Sequence, residues 1–136
     1  MAGRAGRTLF ERIGCNTCHV ESITTAPAGS VINGGAFLVP EALGNKIIHP
    51  FSDFLLHDIE TGDGIVQTPP QDTADKLRTA ALWGLRTRPR YMHDLRSLTL
   101  QDAIARHLGE ARHVSRRFRD LSPVEKQQLF TFLNSL

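Results

Sequence analysis

The chain has 136 residues, enough for one domain with its own core and too few for two. Hydrophobic residues make up 40% and aromatic residues 7%, so ring area for a protein-only core is modest, and no run approaches the ~18 apolar residues of a membrane span. Net charge is +2, yet residues 1–70 carry four Lys/Arg against seven Asp/Glu and residues 71–136 carry twelve against seven; these arginines are scattered, with only Trp83 and Tyr91 near them, which argues against nucleic-acid binding.

From Arg4 to Gly14, Ala5, Leu9 and Ile13 recur every four residues with Phe10 beside them, predicting an amphipathic helix over about 4–14. Gly6, four places before Phe10, leaves a bare backbone patch on which another helix can pack closely. Met1-Ala2-Gly3-Arg4 opens no apolar signal region.

The run Cys15-Asn16-Thr17-Cys18-His19 reads as a site for covalent attachment of one c-type haem. Two thiols three positions apart near a helix end can each form a thioether to a vinyl group on one porphyrin edge, and the adjacent imidazole then reaches the iron. Cys15 and Cys18 are the anchors and His19 the proximal ligand. A dithiol redox motif would sit between a strand and a helix, a zinc site would need two further ligands at compact spacing, and a disulfide across two residues would close too small a loop to stabilise much. Haem attachment at such motifs follows export, so the chain is expected to be a mature or excised piece of an exported, periplasmic bacterial protein.

Glu21 to Lys46 holds four glycines and two prolines, with Asn33-Gly34-Gly35 as a turn signal, and reads as a long loop. It is either a strap with Phe37, Leu38 and Val39 against a haem or a surface excursion. Phe51, Phe54, Leu55 and Ile59 suggest a helical turn or two containing His57, which reads as a packed or hydrogen-bonded residue. Thr73 can cap a helix through Leu77, Ala80, Ala81 and Gly84, with Asp75 in its first turn and Trp83 buried beside it. Thr99-Leu100-Gln101-Asp102 is a capped start, followed by an apolar stripe of Leu100, Ala103, Ile104, His107 and Leu108 that turns His107 inward before Gly109 closes the helix. Ser122, Pro123 and Glu125 form a capping box for a final helix over about 123–136, with Leu129, Phe132, Leu133 and Leu136 on its buried face.

The Gly-x-x-x-Phe helix before Cys-x-x-Cys-His, with a closing Leu-Ser-Pro-x-Glu helix, resembles the class I cytochrome c fold. Three further blocks make a narrower match: Asp53-Phe54-Leu55-Leu56-His57-Asp58; Leu77 to Leu85; and Tyr91-Met92-His93-Asp94 followed by Thr99-Leu100, Ala103-Ile104, His107 and Glu110-Ala111. Together these are similar to the C-terminal haem domain of dihaem cytochrome c peroxidase-like and thiol-oxidoreductase proteins. The resemblance implies one all-α domain over 1–136 with crossed N- and C-terminal helices, long haem-wrapping loops, and Gly6 and Phe10 meeting Phe130 or Leu133. Two departures stand out: nothing here could hold the family's second, N-terminal haem domain, and His93-Asp94-Leu95 replaces His-Asp-Gly at a turn that uses glycine's freedom.

The resemblance implies His107, fourteen residues beyond His93, as the sixth iron ligand. The apolar stripe reaches the same residue, with Met92 as the runner-up thioether and His57, His93, water or an open position remaining. Among the basic residues, Arg78, Arg86, Arg88, Arg90 and Arg96 are candidates to meet haem propionates, while Arg112, Arg116, Arg117 and Arg119 form a candidate docking surface for an acidic redox partner. Two strong-field ligands would make a carrier of single electrons, working with a redox partner protein or an adjoining haem domain. The alternatives are an excised electron-feeding domain of a dihaem peroxidase or oxidoreductase and, with an open iron position, a haem-based sensor.

Overall fold

The computed structural model describes residues 2–66 and 71–136. Helix α1 spans Ala2–Ile13 and α4 spans Pro123–Leu133; they pack directly on one another. The contact is closest at Gly6, where a Cβ would lie 2.1 Å from the Gln128 carbonyl oxygen and 2.6 Å from Phe132 Cβ. Only a residue without a side chain fits there. Leu9, Phe10 and Ile13 are buried on the inner face of α1, and Leu129, Phe132 and Leu133 on that of α4. Phe10 meets Phe132 edge-on with ring centres 5.5 Å apart, so the nearest partners shown for Gly6 and Phe10 are Gln128 and Phe132, with Leu133 in the same buried cluster. Phe130 packs on Phe118 instead. The capping box of α4 is complete, with Ser122 and Glu125 each accepting the other's backbone N–H.

The expectation of an all-α chain is overturned. Besides α2 (Leu100–Ala105), α3 (Arg112–Arg119) and the two terminal helices, the described residues form three two-stranded antiparallel sheets. Strand β1 (Ile23–Thr24) pairs with β4 (Ile47–Ile48), β2 (Val31–Ile32) with β3 (Phe37–Leu38) across the Asn33-Gly34-Gly35 turn, and β5 (Leu56–His57) with β6 (Leu77–Arg78). Two-residue strands are too short to show an alternating pattern, which is why none was legible. The segment expected as one long loop is thus two nested ladders, with Val39 buried and Phe37 and Leu38 on an exposed hairpin.

No helix forms over 73–84. Its apolar spacing suits a helix, but its backbone groups bond elsewhere: Thr79 N–H to Leu55 O (2.9 Å) and Leu82 N–H to Pro50 O (3.0 Å), with Leu77–Arg78 in the β5 ladder. Each backbone donor has one bond to give, and here the 50–57 segment takes it. Trp83 is 51% exposed rather than buried, its indole N–H donating to His49 O at 2.6 Å. The helical turn expected at 51–59 is also absent, because Phe51 and Phe54 adopt left-handed φ of 50° and 57°, outside the helical region. Ser52 N–H and Asp53 N–H instead donate to Val20 O and Cys18 O, both at 2.8 Å.

Helix α2 starts as expected, with Thr99 Oγ1 accepting the Asp102 N–H, but it ends at Ala105 rather than at Gly109. Beyond it Leu108 N–H and Glu110 N–H turn away to Ile59 O and Asp58 O, and Gly109 lies so close to Asp58 that a Cβ would sit 2.4 Å from its carbonyl oxygen. Helix α3 had no counterpart in the apolar pattern. It buries Val114, Ser115 and Phe118 while turning its arginines outward.

Candidate functional site

The site begins where α1 stops. Gly14 takes φ 97° and a tight 3-10 turn over Cys15–Thr17 follows, closed by Cys18 N–H to Cys15 O, with His19 N–H donating to the same oxygen at 2.9 Å. Both thiols are free of a disulfide. Burial pushes the Cys15 thiol up to about 12; burial, then the Asp53 and Glu110 carboxylates, raise that of Cys18. A reactive dithiol needs the opposite shift, toward thiolate.

His19 is drawn inward by the 50–54 segment. Its Nδ1 lies 2.8 Å from the Phe51 carbonyl oxygen, and a carbonyl only accepts, so Nδ1 carries the proton and Nε2 bears the lone pair. Burial lowers its pKa to about 4, which keeps the ring neutral at physiological pH. His107 has the same arrangement on the opposite side: Nδ1 is 2.7 Å from the Ala103 carbonyl oxygen, and burial lowers its pKa too. The two rings lie with centres 6.5 Å apart, inclined at 48°. Phe10 flanks His19 at 6.4 Å, tying the site to the α1–α4 core through Phe51 and Phe132. Phe51 is a strained residue at the position whose carbonyl orients His19, and strain held in this way marks a segment fixed by its surroundings.

The remaining candidates lie apart from this pair. His57 is bonded at both nitrogens, Nε2 to Asp53 Oδ2 at 2.8 Å and Nδ1 to Glu110 Oε2 at 2.9 Å, which leaves no lone pair for a metal. Cys18, Asp53 and His57 present atoms within 4.8 Å of one another, but with the histidine spent and only one thiol in the group it is not a zinc set. His93 Nε2 bonds the Thr61 carbonyl oxygen. Met92 sits in a left-handed turn, φ 66°. Arg78, exposed, donates to Phe54 O at 3.0 Å; Arg88 and Arg90 likewise donate to backbone carbonyls.

Sequence reasoning missed the roles of Arg106 and Glu110. Arg106 grips Asp94 with two parallel bonds of 3.0 and 2.5 Å and Ser97 with a third of 3.0 Å, a planar fork that fixes the turn before α2 against its end. The Arg106 bonds hold the Asp94 carboxyl far below the usual range. Glu110 belongs to the Glu110-Ala111 stretch of the resemblance, but the twelve- and fifty-three-residue separations of these two pairs exceed any local spacing rule.

A half-buried, neutral pair of imidazoles thus stands beside the Cys-x-x-Cys-His turn. The family model described as "Di-haem oxidoreductase, putative peroxidase" matches residues 2–136, and the chain belongs to this family. Comparison with curated proteins and with solved structures gives no match.

Proposed function

We propose that the chain binds one haem c, joined covalently through Cys15 and Cys18 with His19 and His107 as axial ligands, and that it moves single electrons as the relay of a di-haem oxidoreductase system. The observation carrying this reading is the His19–His107 pair. Each ring is neutral, each has its Nδ1 proton given to a backbone carbonyl, and each keeps Nε2 free. Their 6.5 Å separation would leave room for one metal held by both rings at about 2 Å, the usual imidazole–metal length. The carbonyls of Phe51 and Ala103 act as outer-shell partners that set tautomer and orientation.

When bound, the haem supplies a one-electron ferric/ferrous couple. Held by both His19 and His107, the haem would leave no place for peroxide, so this chain would hand electrons on and reduction of peroxide would belong to another centre. Its partner is then a second haem domain or a separate redox protein, and its location the periplasm, where covalent attachment is completed.

Replacing each candidate ligand tests the reading. The oxidised holoprotein should be low-spin without a far-red methionine-to-iron band. His107→Ala should turn it high-spin and able to bind added imidazole, while Met92→Leu leaves the spectrum unchanged. A spectrum insensitive to His107 and lost with Met92 would move the ligand to the 91–95 turn.

A further inference from the structure

His57 lies outside the haem-binding set, yet it joins the two segments on which that set depends. Asp53 belongs to the segment that orients His19: it stands two residues after Phe51, its N–H donates to Cys18 O at 2.8 Å, and its Oδ1 accepts the Leu55 N–H at 2.9 Å. Glu110 belongs to the His107 segment, three residues on, with its N–H on Asp58 O at 2.9 Å and its Oε1 accepting the Asp58 N–H at 3.0 Å. Because α2 has already ended at Ala105, His107 sits on a non-helical turn. What steadies that turn on its far side is the attachment of residues 108–110 to 57–59.

Both partners of His57 are carboxylates, which offer only lone pairs when ionised. Bonds at both ring nitrogens therefore require protons on both, and His57 is an imidazolium. We propose that His57 is a positioning residue: its charged bridge between Asp53 and Glu110 holds the His107 turn in register with His19, and losing that charge frees His107 and opens the sixth iron position. The inference rests on the His19/His107 reading above.

The groups facing His57 support its charged state. Burial works against the charge, but Glu110 and Asp53 outweigh it and the pKa is raised. Asp53 is held ionised: burial opposes this, while the Leu55 N–H and His57 lower its pKa. Glu110 is lowered by the Asp58 N–H and His57, with Lys76 adding a distant positive charge. Cys18 nearby is uncharged as a thiol or a thioether, and the charge on His57 helps keep the neighbouring His19 ring neutral. Asp53 is the stronger arm, its side chain 12% exposed against 51% for Glu110, since water screens the outer pair.

A histidine whose folded pKa is raised contributes its bridge fully below its unfolded pKa, and the contribution is lost as pH rises through the folded pKa. Counted as its neutral form, the only one with a lone pair for iron, added imidazole should thus bind the oxidised holoprotein weakly at neutral pH and more readily on alkalinisation. His57→Gln, whose amide has a donor nitrogen on one side only and carries no charge, should bind imidazole about tenfold more tightly at neutral pH, since apparent affinity scales with the fraction of open molecules. Its alkaline increase should vanish. Glu110→Gln, which keeps an oxygen for the Asp58 N–H, should show a smaller rise, and its response alone is decisive if His57→Gln does not fold. Nitrogen NMR at neutral pH should show His57 protonated at both positions. Variants that fold, remain low-spin and bind imidazole like the parent at every pH would overturn the positioning role and leave the haem ligation intact. A parent protein already high-spin would instead overturn the ligation, and this inference with it.

Discussion

The terminal helices and the long middle of the chain are built on different principles. Helices α1 and α4 meet through side chains: a stripe of Leu9, Phe10 and Ile13 against Leu129, Phe132 and Leu133, with Gly6 allowing the approach. The middle, 20–99, is held by backbone bonds between distant segments, such as Ser52 to Val20, Asp53 to Cys18 and Leu82 to Pro50, and by residues such as Phe51, Phe54, Met92 and Leu95 in left-handed conformations. Its large apolar side chains include Val31, Leu38, Ile47 and Leu55, all more than half exposed. The first region is held by apolar burial, to which Phe51 and Leu85 of the middle also contribute; beyond these two and Val39, the described middle buries little apolar side chain.

The largest break in this comparison is expected from loss of the proposed haem. A Cys15→Ala, Cys18→Ala double variant should carry no covalent haem by denaturing mass measurement. Amide exchange should then show protection surviving in α1 and α4 while the middle exchanges freely, with no cooperative melt for the whole. A variant that melts as sharply as the haem-bearing protein would show that the middle closes unaided.

The next largest effect breaks the helical half. Gly6→Leu puts a branched side chain where even a Cβ would be 2.1 Å from Gln128 O, so the helices must part, and a loss of about 3 kcal/mol or more is expected from overpacking. Chemical denaturation of the holoprotein measures it. A loss below about 1 kcal/mol would mean that the helices slide past one another freely.

Legibility follows the same division. The faces of α1 and α4, the Ser122–Glu125 box and the Thr99 cap were readable because side-chain spacing and short-range capping encode them. So was the inward placement of His107, although its helix stops at Ala105 because 108–110 bond to 58–59 instead. The β1–β4 and β5–β6 ladders, the unwound 73–84 segment and the link from His57 to Glu110 were not readable, because each arises from pairing across twenty or more residues that leaves no periodic trace. The 73–84 segment shows the conflict most plainly, since Leu77, Ala80 and Ala81 have helical spacing and tertiary hydrogen bonding overrides it.

Ser52 tests the backbone-built half directly. Its hydroxyl is fully buried, donates to Thr79 O at 2.8 Å and accepts the Phe54 N–H at 2.9 Å. Ser52→Ala leaves the part-buried Thr79 carbonyl and Phe54 N–H without this partner, and a loss of about 1–2 kcal/mol is expected. The β5–β6 ladder should show the lost protection in amide exchange before α1 and α4 do. Equal loss in both regions would mean that the two halves unfold as one.

The smallest effect concerns Leu95, which stands where the resembled motif has glycine and adopts φ 56°. For a residue with a Cβ this conformation costs about 1–2 kcal/mol. The turn is nonetheless over-determined: Asp94 is locked by Arg106, accepts the Arg96 N–H at 3.1 Å, and the Tyr91 N–H donates to Ser97 O at 2.8 Å. Leu95→Gly would relieve the backbone and lose little burial, since Leu95 is 54% exposed. Against this, glycine's freer unfolded chain takes back roughly 0.5–1 kcal/mol. The expected net is a gain of up to about 1 kcal/mol, read as a small rise in melting temperature of the holoprotein. Leu95→Ala separates the two causes, because it removes the side chain and keeps the Cβ. It should leave stability near that of the parent if backbone strain governs this turn, and a gain matching that of Leu95→Gly would instead assign the cost to the exposed leucine itself.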